Sequence, residues 1–261
     1  MKKTWKVILT IILFFALVQP VGALSFEPVN EAPHSGSIIV GSKVIQEKTD
    51  YVTLDLKIPI VNGLSDRKFE KKLNNTIKKQ ALEAKKEIIV QAKQGQKSAE
   101  QEDRPFHAYE LKIDYELKNT DQILSFTVTT YTFTGGAHGI TGTDYYNIDI
   151  GTNQQLSLSD LFKEDSNYKQ IINKEIRKQI EEQEANEEGS YFHPDDPFTG
   201  TSAFHTVTDD QTFYIENGDV VIAFGQYEIA PGYMGEPVFS IPLNTLKDQL
   251  KEEYQGLIKT E

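Results

Sequence analysis

Residues 52–92 read VTLDLKIPIVNGLSDRKFEKKLNNTIKKQALEAKKEIIVQA, and this stretch decides the fold. Its first nine residues alternate between apolar and other side chains, which is the period-2 pattern of a half-buried strand. Gly63 ends the strand, and Ser65 is a suitable N-cap for a helix. From Phe69 to Ala92, apolar residues recur every three or four positions. This spacing predicts an amphipathic helix that packs one face against a core.

The chain after this helix contains strand patterns. Residues 94–102 are polar and are predicted to form a loop. Alternating runs at 109–117 and 124–130 flank a short turn, and a third strand is predicted around 143–150. One helix among several antiparallel strands makes this part of the chain α+β.

The second half of the chain shows the same mixture of elements. A helical stripe of apolar residues extends from about residue 165 to Ile180. Asn217-Gly218 predicts a hairpin, and residues 238–241 predict an edge strand that ends at Pro242. A last helix is expected to carry Leu243, Leu246 and Leu250. The overall prediction is an α+β protein in which antiparallel sheets pack with a few helices in two consecutive subdomains.

The N-terminus has the pattern of an export signal. Three lysines precede an apolar run over residues 7–18, and small residues lead up to Ala23. A helix of that length spans about 18 Å, which is short of the roughly 30 Å membrane core. We therefore expect cleavage after Ala23 and no membrane span in the mature chain, with an uncleaved anchor as the alternative. The protein is expected to be secreted or associated with the cell wall of a Gram-positive-type bacterium.

These patterns divide the chain into four segments. The predicted segments are a signal peptide at 1–23, a flexible leader at 24–37, and two subdomains at 38–150 and 151–261.

Composition excludes several classes of function. The 39 Asp and Glu against 27 Lys and Arg give a net charge of −12, which disfavours nucleic acid as a partner. The absence of cysteine from the sequence excludes disulfides, thiolate zinc sites and cysteine nucleophiles. Residues 151–261 hold 21 acidic and 8 basic residues, a surface that would attract a cationic partner.

Two common hydrolase motifs are absent from the sequence. It contains neither a Gly-x-Ser-x-Gly nor a His-Glu-x-x-His pattern. The run His193-Pro194-Asp195-Asp196 could ligate a cation, but its proline is more typical of a solvated loop. Asp209-Asp210 is interpreted as a turn or cap pair rather than an acid/base pair. We predict no catalytic residue, no metal ligand and no cofactor.

The segment Thr134–Gly139 reads TGGAHG and is the first candidate contact loop, called here the glycine loop. Three glycines in five residues allow positive φ or a close approach of the backbone to a partner. The strand pattern that follows disfavours a phosphate-binding loop, which needs a helix there. Gly136 and His138 are the candidate ligand-binding residues, and the alternative is a tight connection in which His138 bonds locally.

The segment Gln226–Gly235 reads QYEIAPGYMG and is the second candidate, called here the aromatic loop. Its proline restricts the backbone, its Gly232 permits a turn that projects Tyr233, and rigid aromatic residues on loops are typical contact residues. The alternative is that Tyr233 and Met234 fold back onto the core. We expect both loops to lie at the same end of the molecule. The candidate ligand-binding residues here are Tyr227, Pro231, Gly232, Tyr233 and Met234.

The first subdomain resembles a known family. Residues 38–150 resemble the PdaC/RsiV-like domain of the DUF4163 type, which is seen in the run Pro59–Ser65 and in the loop Gly135–Gly139. Residues 156–250 resemble the companion DUF3298 type. The matching runs there are Leu158–Phe162, Asp210–Tyr214 and Tyr227–Tyr233.

This resemblance implies an extracellular binding module. The two domains form the extracellular part of the anti-sigma-V factor, a lysozyme-sensing receptor, and they precede the catalytic domain of a peptidoglycan deacetylase. The receptor's lysozyme-facing surface is built from loops, and Pro231-Gly232-Tyr233-Met234 matches its motif. Only residues 1–6 precede the apolar run, and no Thr-Phe-Asp-Asp-Gly deacetylase motif follows. Sigma-factor signalling and deacetylation are therefore not expected.

The resulting expectation is an exported, non-enzymatic protein that recognises a lysozyme-like protein or peptidoglycan. Two alternatives stay open at this point. One is an enzyme that acts on cell-wall glycan through carboxylates that the sequence does not identify, and the other is a structural module of the envelope.

Overall fold

The computed structural model describes residues 38–259, so the predicted signal peptide and leader lie outside the described residues. No helix within that range is long and apolar enough to cross a membrane. The strands and α-helices described are, in chain order, β1 (Ile39–Lys48), β2 (Val52–Asn62), α1 (Arg67–Gln101), β3 (Tyr109–Asn119), β4 (Ile123–Phe133), β5 (Ile140–Asp149), β6 (Gln154–Gln155), α2 (Tyr168–Ala185), β7 (Phe213–Glu216), β8 (Asp219–Ala223) and β9 (Val238–Pro242).

Strands β1 to β6 form one sheet in sequence order, and β7 to β9 form a second sheet. The α+β class predicted from the sequence is confirmed. One pairing differs from the expected antiparallel order, because β2 and β3 are parallel. Helix α1 lies between these two strands in the sequence, and it carries the chain back to the end of the sheet where β2 began. A long crossover of this kind is what a parallel pair requires.

Helix α1 is confirmed, but both of its predicted ends were wrong. The N-cap is Asp66 rather than Ser65, since the Asp66 carboxylate accepts hydrogen bonds from the backbone N–H of Lys68 and Phe69. The helix continues to Gln101 through the segment predicted to be a loop. That segment is rich in Gln, Lys, Ala and Glu, which favour helix without needing an apolar stripe.

A first core lies between α1 and the six-stranded sheet. The predicted inward alternation of β2 holds as far as Ile58, after which Val61 is buried while Ile60 is 37% exposed. The largest buried side chains of this core include Leu54, Leu56, Leu111, Leu124 and Phe126.

A second core lies beneath β7, β8, β9 and α2. The predicted hairpin is confirmed, with Asn217 and Gly218 both at positive φ as its two-residue turn requires. The predicted last helix is wrong, because only Leu243–Leu246 forms a 3₁₀ turn and Leu250 instead bridges to Phe162. The apolar spacing there reflects burial in this core rather than a continuous α-helix.

Buried polar side chains join the two sheets. The Asn147 side-chain amide on β5 donates to the Phe213 carbonyl at 2.7 Å, and its oxygen accepts from the Ser125 hydroxyl. The same hydroxyl oxygen accepts from the Ile215 backbone N–H at 3.0 Å. Strand β7 is therefore bound to β4 and β5 through their side chains. The division of the chain at residue 150 stays a prediction.

Candidate functional site

The glycine loop and the aromatic loop are in contact. The Nε2 atom of His138 lies 3.2 Å from the Tyr227 hydroxyl oxygen, and the two ring centroids are 6.4 Å apart. These residues are 89 positions apart in the chain. The two loops thus lie against each other in the folded chain.

His138 also makes the local hydrogen bond that was considered as the alternative. Its Nδ1 atom lies 3.0 Å from the Gly139 carbonyl oxygen. A carbonyl can only accept, so Nδ1 carries the proton in the neutral ring and Nε2 accepts from the Tyr227 hydroxyl. His138 therefore fixes its own loop and touches the other loop at the same time.

Gln226 connects the aromatic loop to strand β5, which follows the glycine loop. Its side-chain oxygen accepts from the Thr141 N–H at 3.1 Å, and its amide nitrogen donates to the Gly232 carbonyl at 2.8 Å. Farther along β5, the Thr143 hydroxyl donates to the Glu236 carboxylate at 2.6 Å. The aromatic loop is therefore attached at both ends to the strand that follows the glycine loop.

Gly232 makes room for a neighbouring aromatic ring because it has no side chain. It begins a 3₁₀ turn, but the loop glycine with positive φ is Gly235, at +69°. A β-carbon on Gly232 would overlap the ring of Tyr227, so its missing side chain admits that ring. Tyr227 itself has φ of +69°, which is uncommon for a residue other than glycine. Strained backbone of this kind is held in place by its surroundings and clusters at functional sites.

Tyr233 and Met234 were expected either to project to solvent or to fold back onto the core, and the two residues differ in this respect. Tyr233 is 77% exposed, whereas Met234 is partly buried and packs against the second core. Met234 also donates its backbone N–H to the Pro231 carbonyl at 2.9 Å. Pro231 has φ of −58° and is half-buried. Met234 and Pro231 thus hold the turn that presents Tyr233.

Gly136 and its neighbours differ in how much space surrounds them. Gly136 is exposed, and a β-carbon there would meet only the His138 carbonyl oxygen at 3.9 Å. Gly135 has φ of +84°, and a β-carbon on Gly139 would overlap the Tyr131 ring. The predicted need for glycine therefore applies to Gly135 and Gly139, while Gly136 has room for a side chain.

The sequence patterns did not single out Phe198, which is 91% exposed. The Asp196 carboxylate accepts from the backbone N–H of Phe198 and Thr199, and these hydrogen bonds lower the pKa of Asp196. The Phe192 N–H donates to the Ile229 carbonyl at 2.9 Å, which ties this segment to the aromatic loop. An aromatic residue close after a proline in a polar loop could have indicated Phe198 as a contact residue, and the same kind of pattern indicated Tyr233.

The side chains weighed as metal ligands or acid/base pairs make other contacts. His193 Nε2 lies 3.1 Å from a Glu184 carboxylate oxygen. Within residues 38–259, no group of three or more His, Asp or Glu side chains is placed to hold a metal ion. Asp209 accepts from the Tyr168 hydroxyl at 2.7 Å and pairs with Lys169 at 2.8 Å, and these partners lower its pKa. Asp209 therefore tethers the first turn of α2.

Family models match both halves of the chain. The model described as "Deacetylase PdaC" matches residues 45–141, and the model described as "Protein of unknown function (DUF3298)" matches residues 159–244. The chain is 30% identical over 246 residues to the anti-sigma-V factor RsiV of Bacillus subtilis (strain 168), covering 93% of this chain and 81% of that protein. It is also 30% identical over 146 residues to the peptidoglycan-N-acetylmuramic acid deacetylase PdaC of the same strain. That match covers 56% of this chain and 30% of the deacetylase.

Two solved structures share the fold. A DUF3298 family member from Bacteroides fragilis NCTC 9343 superposes with a TM-score of 0.65 at 17% identity, covering 88% of this chain and 100% of that one. A DUF3298 family protein from Pseudomonas aeruginosa PAO1 superposes with a TM-score of 0.56 at 16% identity, covering 87% and 99%. At these identities the likeness shows the fold alone.

Proposed function

The chain belongs to the PdaC/RsiV-like family, and from this premise we propose that it is an exported, non-enzymatic binding module for a lysozyme-like protein or peptidoglycan. The observation that carries the proposal is the contact between the glycine loop and the aromatic loop, which presents Tyr233 to solvent. Of the two ligands, the lysozyme-like protein has the better support. An aromatic side chain that projects from a rigid loop is suited to enter a concavity on a partner protein.

Aromatic surface supports this site as a protein contact. Tyr233 and Phe198 are exposed on connected loops, and aromatic side chains bury large areas with few rotatable bonds. The loops are fixed before binding by Pro231 and by the hydrogen bonds of Gln226. A preorganised loop loses less conformational entropy on association, so more of the contact energy appears as affinity.

Charge supports a basic partner. Residues 151–261, which contain the aromatic loop and Phe198, carry a net charge of −13. Lysozymes are commonly basic, and opposite charge accelerates encounter. We expect the association rate with hen egg-white lysozyme to fall markedly between 0.01 M and 0.15 M salt, where the Debye length shortens from about 30 Å to 8 Å. Dissociation is expected to change less, and an association rate indifferent to salt would exclude this steering.

The central test is the Tyr233→Ala substitution. Binding to hen egg-white lysozyme, measured by calorimetry, is expected to weaken by about 2 kcal/mol, which is about 30-fold in Kd. The Tm is expected to stay unchanged, because the removed ring is 77% exposed. The control is Leu117→Ala on β3, an exposed apolar residue whose loss is expected to leave affinity unchanged. If Tyr233→Ala lowers the Tm and spares affinity, the binding site lies elsewhere.

Two further assays separate the alternatives. Sedimentation with insoluble cell wall, compared with capture on immobilised lysozyme, distinguishes peptidoglycan from a lysozyme-like protein as the ligand. Incubation of the protein alone with wall fragments tests the enzyme alternative. Release of reducing sugar or acetate above a heat-treated control would contradict the non-enzymatic proposal.

Export is part of the same proposal. N-terminal sequencing of protein recovered from the culture medium is expected to begin at Leu24 or within a few residues of it. Protein that stays with the cells and begins at Met1 would support the uncleaved anchor instead.

A further inference from the structure

The outer face of helix α1 carries a line of lysines, defined here as the lysine stripe. Four of them follow one another at intervals of seven residues, which is close to two helical turns and about 10.5 Å of rise. At 3.6 residues per turn, the whole set falls within about 100° of the helix circumference and extends over about 44 Å. All are exposed. The lysine stripe consists of Lys68, Lys71, Lys72, Lys79, Lys86, Lys93 and Lys97.

This stripe stands out against the charge of the rest of the molecule. Residues 38–259 carry 24 Lys and Arg against 36 Asp and Glu, a net of −12. Helix α1 alone carries ten basic and four acidic residues, a net of +6, which leaves −18 for the remainder. Positive charge is therefore concentrated on one helix face of an acidic protein. Such segregation creates a local field that attracts anions.

Most of the stripe is not neutralised by acidic neighbours. Lys79 lies 3.8 Å from the Glu83 carboxylate, and the Lys93 ammonium lies 5.4 Å from the centre of the Tyr51 ring. The other five lysines form no ion pair with any residue of the described range. Near the start of α1, the lysines together with Asn75 and Thr76 line a shallow groove.

We propose that the lysine stripe binds a linear phosphate polymer, such as a polyphosphate or phosphodiester chain, that lies along α1. Lysine ammonium groups are compact cations that bind phosphate oxygens as point charges. The positive surface is one helix wide and about 44 Å long, so it matches an extended chain better than a broad anionic surface. Glu83 and Glu87 border one side of the stripe and would oppose a flat anionic membrane. This site is separate from the aromatic loop and does not depend on the lysozyme proposal.

The test titrates the purified protein with sodium polyphosphate of about 45 units at 50–200 mM salt. Each phosphate contact contributes about −0.7 to the slope of log K against log salt, so seven contacts predict a slope of about −5. The triple variant Lys72→Gln, Lys79→Gln, Lys86→Gln is expected to reduce the magnitude of that slope by about 2. Replacing the same three residues by arginine is expected to retain binding, because the charge is kept.

The matched control removes three exposed lysines elsewhere, Lys112→Gln, Lys174→Gln and Lys247→Gln, and so changes the net charge equally. It is expected to leave the slope unchanged. Equal losses in both triple variants, or no binding at 50 mM salt, would overturn the proposal. Stronger binding to phosphatidylglycerol vesicles than to polyphosphate would replace the linear polymer with a membrane surface. Lysozyme affinity measured on the same variants reports on the aromatic loop separately.

Discussion

Replacing Asn147 with alanine is expected to destabilise the protein strongly although the residue is far from the proposed contact surface. Its side chain is 3% exposed and lies at the junction of the two sheets. The substitution deprives the Phe213 carbonyl of its donor at 2.7 Å and the Ser125 hydroxyl of its acceptor. Two buried polar groups then lose a partner at once.

The magnitude follows from these two lost partners. A buried polar group left without its hydrogen bond costs about 1–3 kcal/mol, so the pair is expected to cost about 2–6 kcal/mol. For a protein of this size, each kcal/mol lowers the Tm by about 2–4 °C, which gives a decrease of about 4–24 °C. Calorimetry measures both quantities.

A double-mutant cycle tests whether the junction acts as one network. Asn147→Ala and Ser125→Ala are expected to be non-additive by at least about 0.5 kcal/mol, because each removes the other's partner. The control is Asn173→Ala in α2, which breaks a buried amide contact to Thr206 and Val207 and is expected to be additive with Ser125→Ala. A Tm decrease below about 2 °C for Asn147→Ala, or additivity of the first pair, would refute this reasoning.

Three further predictions concern single loops and ionisable groups. Gly232→Ala is expected to weaken lysozyme binding at least about tenfold, because its β-carbon would overlap the Tyr227 ring, whereas Gly136→Ala is expected to be neutral. His138→Ala and Tyr227→Phe are expected to be coupled by about 0.5–1 kcal/mol in lysozyme affinity, and additive losses would show that their 3.2 Å contact is unimportant. Because the pKa of Asp209 is lowered in the folded state, Asp209→Asn is expected to lower the Tm at pH 6 but not at pH 2, and a Tm difference that persists at pH 2 would contradict this.

Much of the fold follows from short-range patterns that the sequence carries by itself. The alternation of β2, the apolar stripe of α1 and the Asn217-Gly218 turn each depend on a few neighbouring residues, and all three are present in the structure. The incorrect secondary-structure predictions fall in segments that have no such local pattern. No apolar stripe marks residues 94–101, yet their side chains favour helix and Ala99 is buried.

Pairing between distant segments was decided only by the tertiary structure. The parallel register of β2 and β3 depends on how α1 packs across the sheet, which no local pattern reports. In the candidate site, composition marked both loops, but it could not show that Tyr233 projects while Met234 is partly buried against the second core. Nor could it show that His138 reaches Tyr227 across 89 residues. Local conformation depends on the propensities of a few residues, whereas such contacts depend on how the whole chain buries its apolar and polar groups.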